Sequence, residues 1–119
     1  MRPLWVEFPN DPATFAIEDQ WMVGSDILVK PVLHPNHRSV EVYFPGTEAW
    51  YDVETWIRAT ANGRASIDAP LSKIPVFQRA GSIVPRKMRL RRCSDLMRND
   101  PFTLDIVVDS QQTVRTARV

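Results

Sequence analysis

Residues 71–85 read LSKIPVFQRAGSIVP, and this stretch decides the fold. Two short runs of β-branched and aromatic residues, 74–77 and 82–84, are separated by Arg79, Ala80 and Gly81 and bracketed by Pro75 and Pro85. Such runs predict strands that turn tightly at a glycine, the residue that enters left-handed backbone at least cost. No side chain within the stretch is an evident catalyst. It announces a scaffold, not a reaction.

The same punctuated pattern extends in both directions. Upstream come Ile27-Leu28-Val29 and then Val40-Glu41-Val42-Tyr43-Phe44. In the second run Val40, Val42 and Phe44 share one face and Glu41 and Tyr43 the other, the alternation of a sheet wet on one side. Pro45-Gly46 ends that strand and Trp50-Tyr51-Asp52-Val53 begins another, which predicts a hairpin with a loop of about five residues. Asn62-Gly63, within 59–64, marks a further turn. Residues 66–69 and 103–108 complete a series of short strands at the spacing of a sandwich.

The N-terminal end reads differently. Leu4-Trp5-Val6-Glu7-Phe8, ended by Pro9, is long enough for one strand and too short for a stable helix, so it predicts a buried strand. Asp11-Pro12 fits a helix N-cap followed by proline, and Glu18-Asp19 opens a second helical turn that Gly24 closes. A soft boundary near Gly24-Ser25 therefore separates a strand-plus-helix beginning (1–24) from an all-β remainder (25–119).

Composition agrees with a mainly β class. Ten prolines against four glycines leave little room for long helices. With 44% apolar and 24% charged residues the chain can build a core, and wholesale disorder is excluded. A length of 119 residues suits one domain and falls short of a full enzyme barrel of about 250. The net charge of +1 gives no global field to steer the chain toward nucleic acid or an anionic membrane. No apolar run approaches a membrane span, and residues 1–5 lack the apolar stretch of a secretory signal. The single cysteine, Cys93, cannot form an intrachain disulfide and is expected to be a buried or bystander thiol.

At this point several motifs converge in order. RPLWVEFP at 2–9, DQWMVGSDILVKPV at 19–32, VEVYFPG at 40–46 and WYDV at 50–53 are followed by PLSKIPVFQRAGSIVPRKMRLRR at 70–92 and DPFTL at 100–104. Their order and spacing resemble the C-terminal part of glycoside hydrolase family 31. The resemblance implies a broken (β/α)8 barrel whose eighth strand is 4–8 and whose helical return is 11–24. A proximal C-terminal β-sandwich then follows from Ile27. It implies retaining α-glucosidase chemistry, which needs two carboxylates about 5–5.5 Å apart. In the family both are aspartates upstream of every residue here, so this chain is expected to lack them and to be inactive alone. The branch it most resembles trims glucose from N-glycans in the endoplasmic-reticulum lumen. The implied partners are the remainder of the catalytic barrel and a noncatalytic β subunit. Relatives continue past residue 110 through a glycine turn into an aromatic strand, whereas Gln111 to Val119 ends first, so a truncated sandwich, from a partial gene product or an isoform, is expected. Ala80 stands where these relatives carry a second glycine, which matters only at a site of positive φ.

The remaining candidates weigh toward structure. Among the acids Glu18-Asp19, Asp52 with Glu54, and Asp95 with Asp100, only Asp52 and Glu54 share a strand face, and nothing supplies a pocket to tune them. Glu7, on the expected barrel strand, either lines a sugar pocket in an intact enzyme or pairs structurally with Arg2. The basic run 86–92 alternates, with Lys87, Arg89 and Arg91 opposite Met88 and Leu90, so it reads as a salt-bridging segment laid over a core. His34 and His37 lack the further ligands of a zinc site. Trp50, Tyr51 and Trp56 form either a sugar-stacking platform or an interface with the barrel. A stand-alone carbohydrate-binding or structural module is thus the alternative to an α-glucosidase segment. No residue is assigned a catalytic, substrate-binding or metal-ligating role, and no cofactor is expected.

Overall fold

A computed structural model describes residues 1–59 and 62–111. Three antiparallel sheets organise them. The largest runs β1 (Arg2–Pro3), β2 (Trp21–Val23), β3 (Ile27–Val29), β7 (Val76–Arg79) and β5 (Trp50–Asp52), in that spatial order. β4 (Ser39–Phe44) pairs with β6 (Gly63–Asp68), and β8 (Ser82–Arg86) with β9 (Thr103–Val107). The class is mainly β, as the sequence predicts.

The core lies between the five-stranded sheet and the β4–β6 ribbon. Met22, Leu28 and Phe77 stand in register across β2, β3 and β7 and point to one face. Val42 and Phe44 descend on them from β4, and the Phe44 ring meets Phe77 edge-on at 4.8 Å between centroids. Each fully buried side chain of this size stabilises by about 1.5–3 kcal/mol. The expected alternation in β4 holds: Val42 and Phe44 are buried and Glu41 is exposed.

Three local expectations are corrected. Leu4–Glu7 is a helical turn, α1, and not a strand: the Phe8 amide donates to the Leu4 carbonyl at 2.9 Å. Leu4 and Phe8, four apart, bury on one side of the turn, while Trp5 and Val6 face outward. Residues 11–24 are not a helical return. Only Pro12–Thr14 form a 3-10 turn, capped by the Asp11 carboxylate, and Trp21–Val23 pair with β3. Gly24, at φ +66°, closes the β2–β3 hairpin, because a helix end and a tight hairpin ask for the same left-handed backbone. The turn between these strands is also where the sequence places its soft boundary, so residues on both sides of it share one sheet.

The third correction concerns a partner. β4 and β5 are joined by a five-residue loop at 45–49, yet they belong to different sheets. Gly46, at φ +79°, turns the chain, and the Trp50 indole donates to the Pro45 carbonyl at 3.1 Å to fix the crossover. β7 and β8 turn at Ala80-Gly81, as the sequence predicts, and join different sheets. The Ala80 amide donates to Ala49 and the next amide, of Gly81, donates to Val107, each at 2.8 Å. Successive amides thus face two sheets, and positive φ falls on Gly81 and not on Ala80. β7 begins after Pro75, which has no amide hydrogen to give the ladder. The turn expected across 59–64 and the tail after Gln111 lie wholly or partly outside the described residues.

Gln20 joins the layers. Its side-chain amide donates to the Tyr43 carbonyl at 2.7 Å and accepts from the Tyr43 amide at 3.0 Å, imitating one rung of a β-ladder on β4. Gln20→Leu leaves both backbone groups of Tyr43 unpaired in a site 3% exposed at Gln20. Urea unfolding of this variant is expected to show a loss on the order of 2 kcal/mol. A loss below about 0.5 kcal/mol, the range of neutral surface changes, would refute the rung.

Candidate functional site: the N-terminal face and the Arg79 hub

Arg79 stands on the core-facing side of β7, opposite Trp50 of β5. At 8% exposure, its cation needs compensation from elsewhere in the chain. The guanidinium donates to Glu48 at 2.8 Å, lies 3.5 Å from a Glu7 oxygen and sits 4.9 Å over the Phe8 ring. The other Glu7 oxygen is 3.4 Å from Arg2. Glu7 is therefore held between two arginines. The hub binds α1, the 45–49 loop and β7 together. A methyl group added at Gly46 would touch both Glu48 and Phe8, so this glycine also makes room for the hub.

The outer side of α1 is apolar and open. Trp5, Val6 and Phe15 are 49%, 43% and 58% exposed, and Met1 is more so. Trp5, Phe15 and Met1 border a concavity of about 360 Å³ with Arg2, Glu18 and Trp21 on its rim. An apolar face seated on a fixed ion-pair hub is suited to receiving another protein surface.

The sequence-weighed acids have separate partners. Asp52 and Glu54 do converge, on Lys73, at 2.6 and 3.6 Å. Asp52 also accepts the amides of Glu54 and Thr55 at 2.8 and 3.1 Å, which makes it the cap of its turn. Burial pushes the Asp52 carboxyl up, but the Lys73 ammonium and the two amides outweigh it and hold the group below the usual carboxylate range. The bond to Asp52 raises the Lys73 ammonium in turn, against burial. Asp19 pairs with Lys30, Asp95 with Arg98, and Asp100 is clasped by Arg91 at 2.8 and 3.0 Å.

The basic segment is likewise engaged internally. Arg86 bonds Asp105, Lys87 donates to the carbonyls of Met97 and Arg98, and Arg89 approaches Asp100. Met88 and Leu90 are 62% and 98% exposed, which corrects the expectation that they lie over a core. Cys93 is also exposed. The His34 and His37 rings lie 5.4 Å apart, and among the described residues no group of three or more His, Cys, Asp or Glu gathers to hold a metal. Trp50 is buried at 1% exposure and Trp56 is outside, so the three aromatics do not form one platform. Neither the Arg79 hub nor the Gln20 rung carries a motif. Gln20 stands between Asp19 and Trp21 and Arg79 between Gln78 and Ala80, so their neighbours give no signal either.

The profile of the glycosyl hydrolase family 31 C-terminal domain matches residues 1–84. Neutral alpha-glucosidase AB of Mus musculus is 47% identical over 116 residues, which is 97% of this chain and 12% of that protein. The chain belongs to glycoside hydrolase family 31. A crystal structure of glucosidase II alpha subunit superposes with a TM-score of 0.87 at 36% identity, covering 92% of this chain and 12% of that one. The catalytic subunit in a crystal structure of an ER glucosidase II heterodimeric complex, with the binding domain of its regulatory subunit, gives 0.86 at 35%, covering 91% and 12%. The chain thus spans about one eighth of the length of these family 31 relatives.

Two predictions follow the geometry. Asp52 ionises more readily when folded than when unfolded, so its contribution to stability is complete above about pH 4 and is lost as pH falls through its lowered folded value. Asp52→Asn should flatten the acid limb of a pH–stability curve; an unchanged limb would show that the Lys73 pair contributes nothing. The open apolar face should make the chain self-associate. Light scattering is expected to show species heavier than the monomer that Trp5→Ser with Phe15→Ser reduces, and a monodisperse monomer at high concentration would count against this.

Proposed function

We propose that this chain is the C-terminal β-module of an α-glucosidase and supports a catalytic barrel that supplies both reacting carboxylates. The observation that carries the proposal is the exposed apolar face of α1 and Phe15, set on the Arg79 hub in a chain matching one eighth of its α-glucosidase relatives. Residues 1–24 act as the joint to the barrel and 25–119 as the sandwich that braces it. Burial of Trp5 and Phe15 against the barrel would remove apolar surface worth about 25 cal/mol per Å². Arg79 keeps the joint in place, because moving α1 would strip a buried cation of Glu7.

On this reading the parent enzyme removes α-linked glucose from N-glycans in the endoplasmic-reticulum lumen, and a noncatalytic regulatory subunit is a partner of its catalytic subunit. Likeness to the glucosidase II alpha subunit, including one seen with a regulatory subunit's binding domain, supports both points. The chemistry of retaining hydrolysis calls for an acid and a nucleophile facing one sugar. In this chain the carboxylate pair that shares a lysine, Asp52 and Glu54, is committed to a turn. The purified chain is therefore expected to leave an aryl α-glucoside intact. Turnover by a preparation in which Asp52→Asn abolishes the activity would overturn the proposal.

A further inference from the structure

The two sheets part company at one end of the sandwich and leave a groove. The five-stranded sheet makes its last rung there where the Lys30 amide donates to the Pro75 carbonyl at 3.0 Å. The β4–β6 ribbon ends where the Ala69 amide donates to the Arg38 carbonyl at 2.8 Å. Between these two rungs residues 31–37 and 70–74 splay apart around a space of about 920 Å³. Pro31, Pro35 and Pro70 lack amide hydrogens, and the Lys73 amide turns back to the Pro70 carbonyl at 2.8 Å. The opening is built into the sequence.

The walls of this groove are apolar and its charge has one sign. Leu33, Leu71 and Ile74 are 61%, 107% and 61% exposed along it. Arg38 and Lys73 line it, together with both histidines, and no carboxylate does. Lys73 is turned to Asp52 and Glu54, whereas the Arg38 guanidinium has no carboxylate partner among the described residues. Two turns that present branched apolar side chains, and a guanidinium without a carboxylate partner among the described residues, define a complementary occupant.

We propose that the groove between residues 31–38 and 69–74 binds an acidic peptide segment of a partner protein. Its aliphatic side chains lie against Leu33, Leu71 and Ile74, and a carboxylate pairs with Arg38. This surface is separate from the α1 face and does not depend on the barrel reading.

Fluorescence anisotropy with a labelled peptide of alternating leucine and glutamate tests the assignment on the full chain. Saturable binding is expected, weakened about tenfold by Arg38→Glu and by Leu71→Asp. Both positions are exposed, so circular dichroism of the variants should match the parent. Leu90→Ser, also exposed, should bind as the parent does. The same peptide with lysine in place of glutamate should not bind. The proposal fails if no saturation appears up to about 1 mM peptide. It also fails if the lysine peptide binds equally, if Arg38→Glu has no effect, or if maltotriose displaces the acidic peptide.

Discussion

A buried guanidinium governs how this chain is put together. Arg79 sits on the inner face of the central sheet, where an isolated charge would be untenable. Its compensation comes from two glutamates distant in sequence, Glu7 and Glu48. That requirement dictates that α1 lie against the sheet edge and that the 45–49 loop cross over β7. Gly46 serves the same demand, since a side chain there would crowd the Glu48 carboxylate against Arg79. Replacing such a cluster by apolar residues often costs nothing in stability, whereas removing one member strands the others. The cluster thus specifies one position for α1 among the several that hydrophobic burial alone permits.

A second constraint is the crossing between sheets. Short strands with five-residue loops favour local hairpins, and two neighbouring pairs here decline to form them. The reason lies in where the amides point. At Ala80 and Gly81 consecutive amides serve Ala49 and Val107, so one turn stitches together two sheets and cannot also close a hairpin. Behind it Gln78 reaches from β7 to Ser82 and to the Asp105 carbonyl, which fixes the β8–β9 ribbon on the outer face. Gln20 performs the corresponding task on the inner side. Side-chain amides thus occupy sites where a longer sheet would carry another strand.

These devices explain which parts of the fold were legible in the sequence. Period-two alternation at 40–44 identifies β4 and its buried face, because Val42 and Phe44 have one core to enter. Alternation does not name a strand's partner, and so β4 with β5 reads as a hairpin. Leu4 to Phe8 misleads for a different reason. A five-residue apolar run carries too few positions to separate period 2 from period 3.6, and the tertiary placement of Leu4 and Phe8 decides the matter. The Lys73 link between Asp52 and Glu54 is half legible: their shared face follows from spacing, while a lysine twenty-one residues on does not. The Arg79 hub was illegible, since nothing local distinguishes a core arginine at a strand end from an exposed one.

The placement of charge bears on what the module can do within a glycosidase. Glutamate and aspartate side chains that might be supposed reactive are instead caps and counter-ions: Asp52 holds two amides, Asp100 an arginine fork, Glu7 two guanidinium groups. The contacts of Asp52 and Asp100 favour the ionised form, whereas a catalytic acid at neutral pH must be kept protonated by an apolar or like-charged setting. The surroundings of Asp52 and Asp100 therefore oppose the pKa that glycoside hydrolysis demands of its acid. What the arrangement supplies is rigidity next to an apolar face. On the proposed reading, bracing a barrel requires a surface that does not yield, and the Arg79 ion pairs to Glu7 and Glu48 are what hold α1 beneath that face.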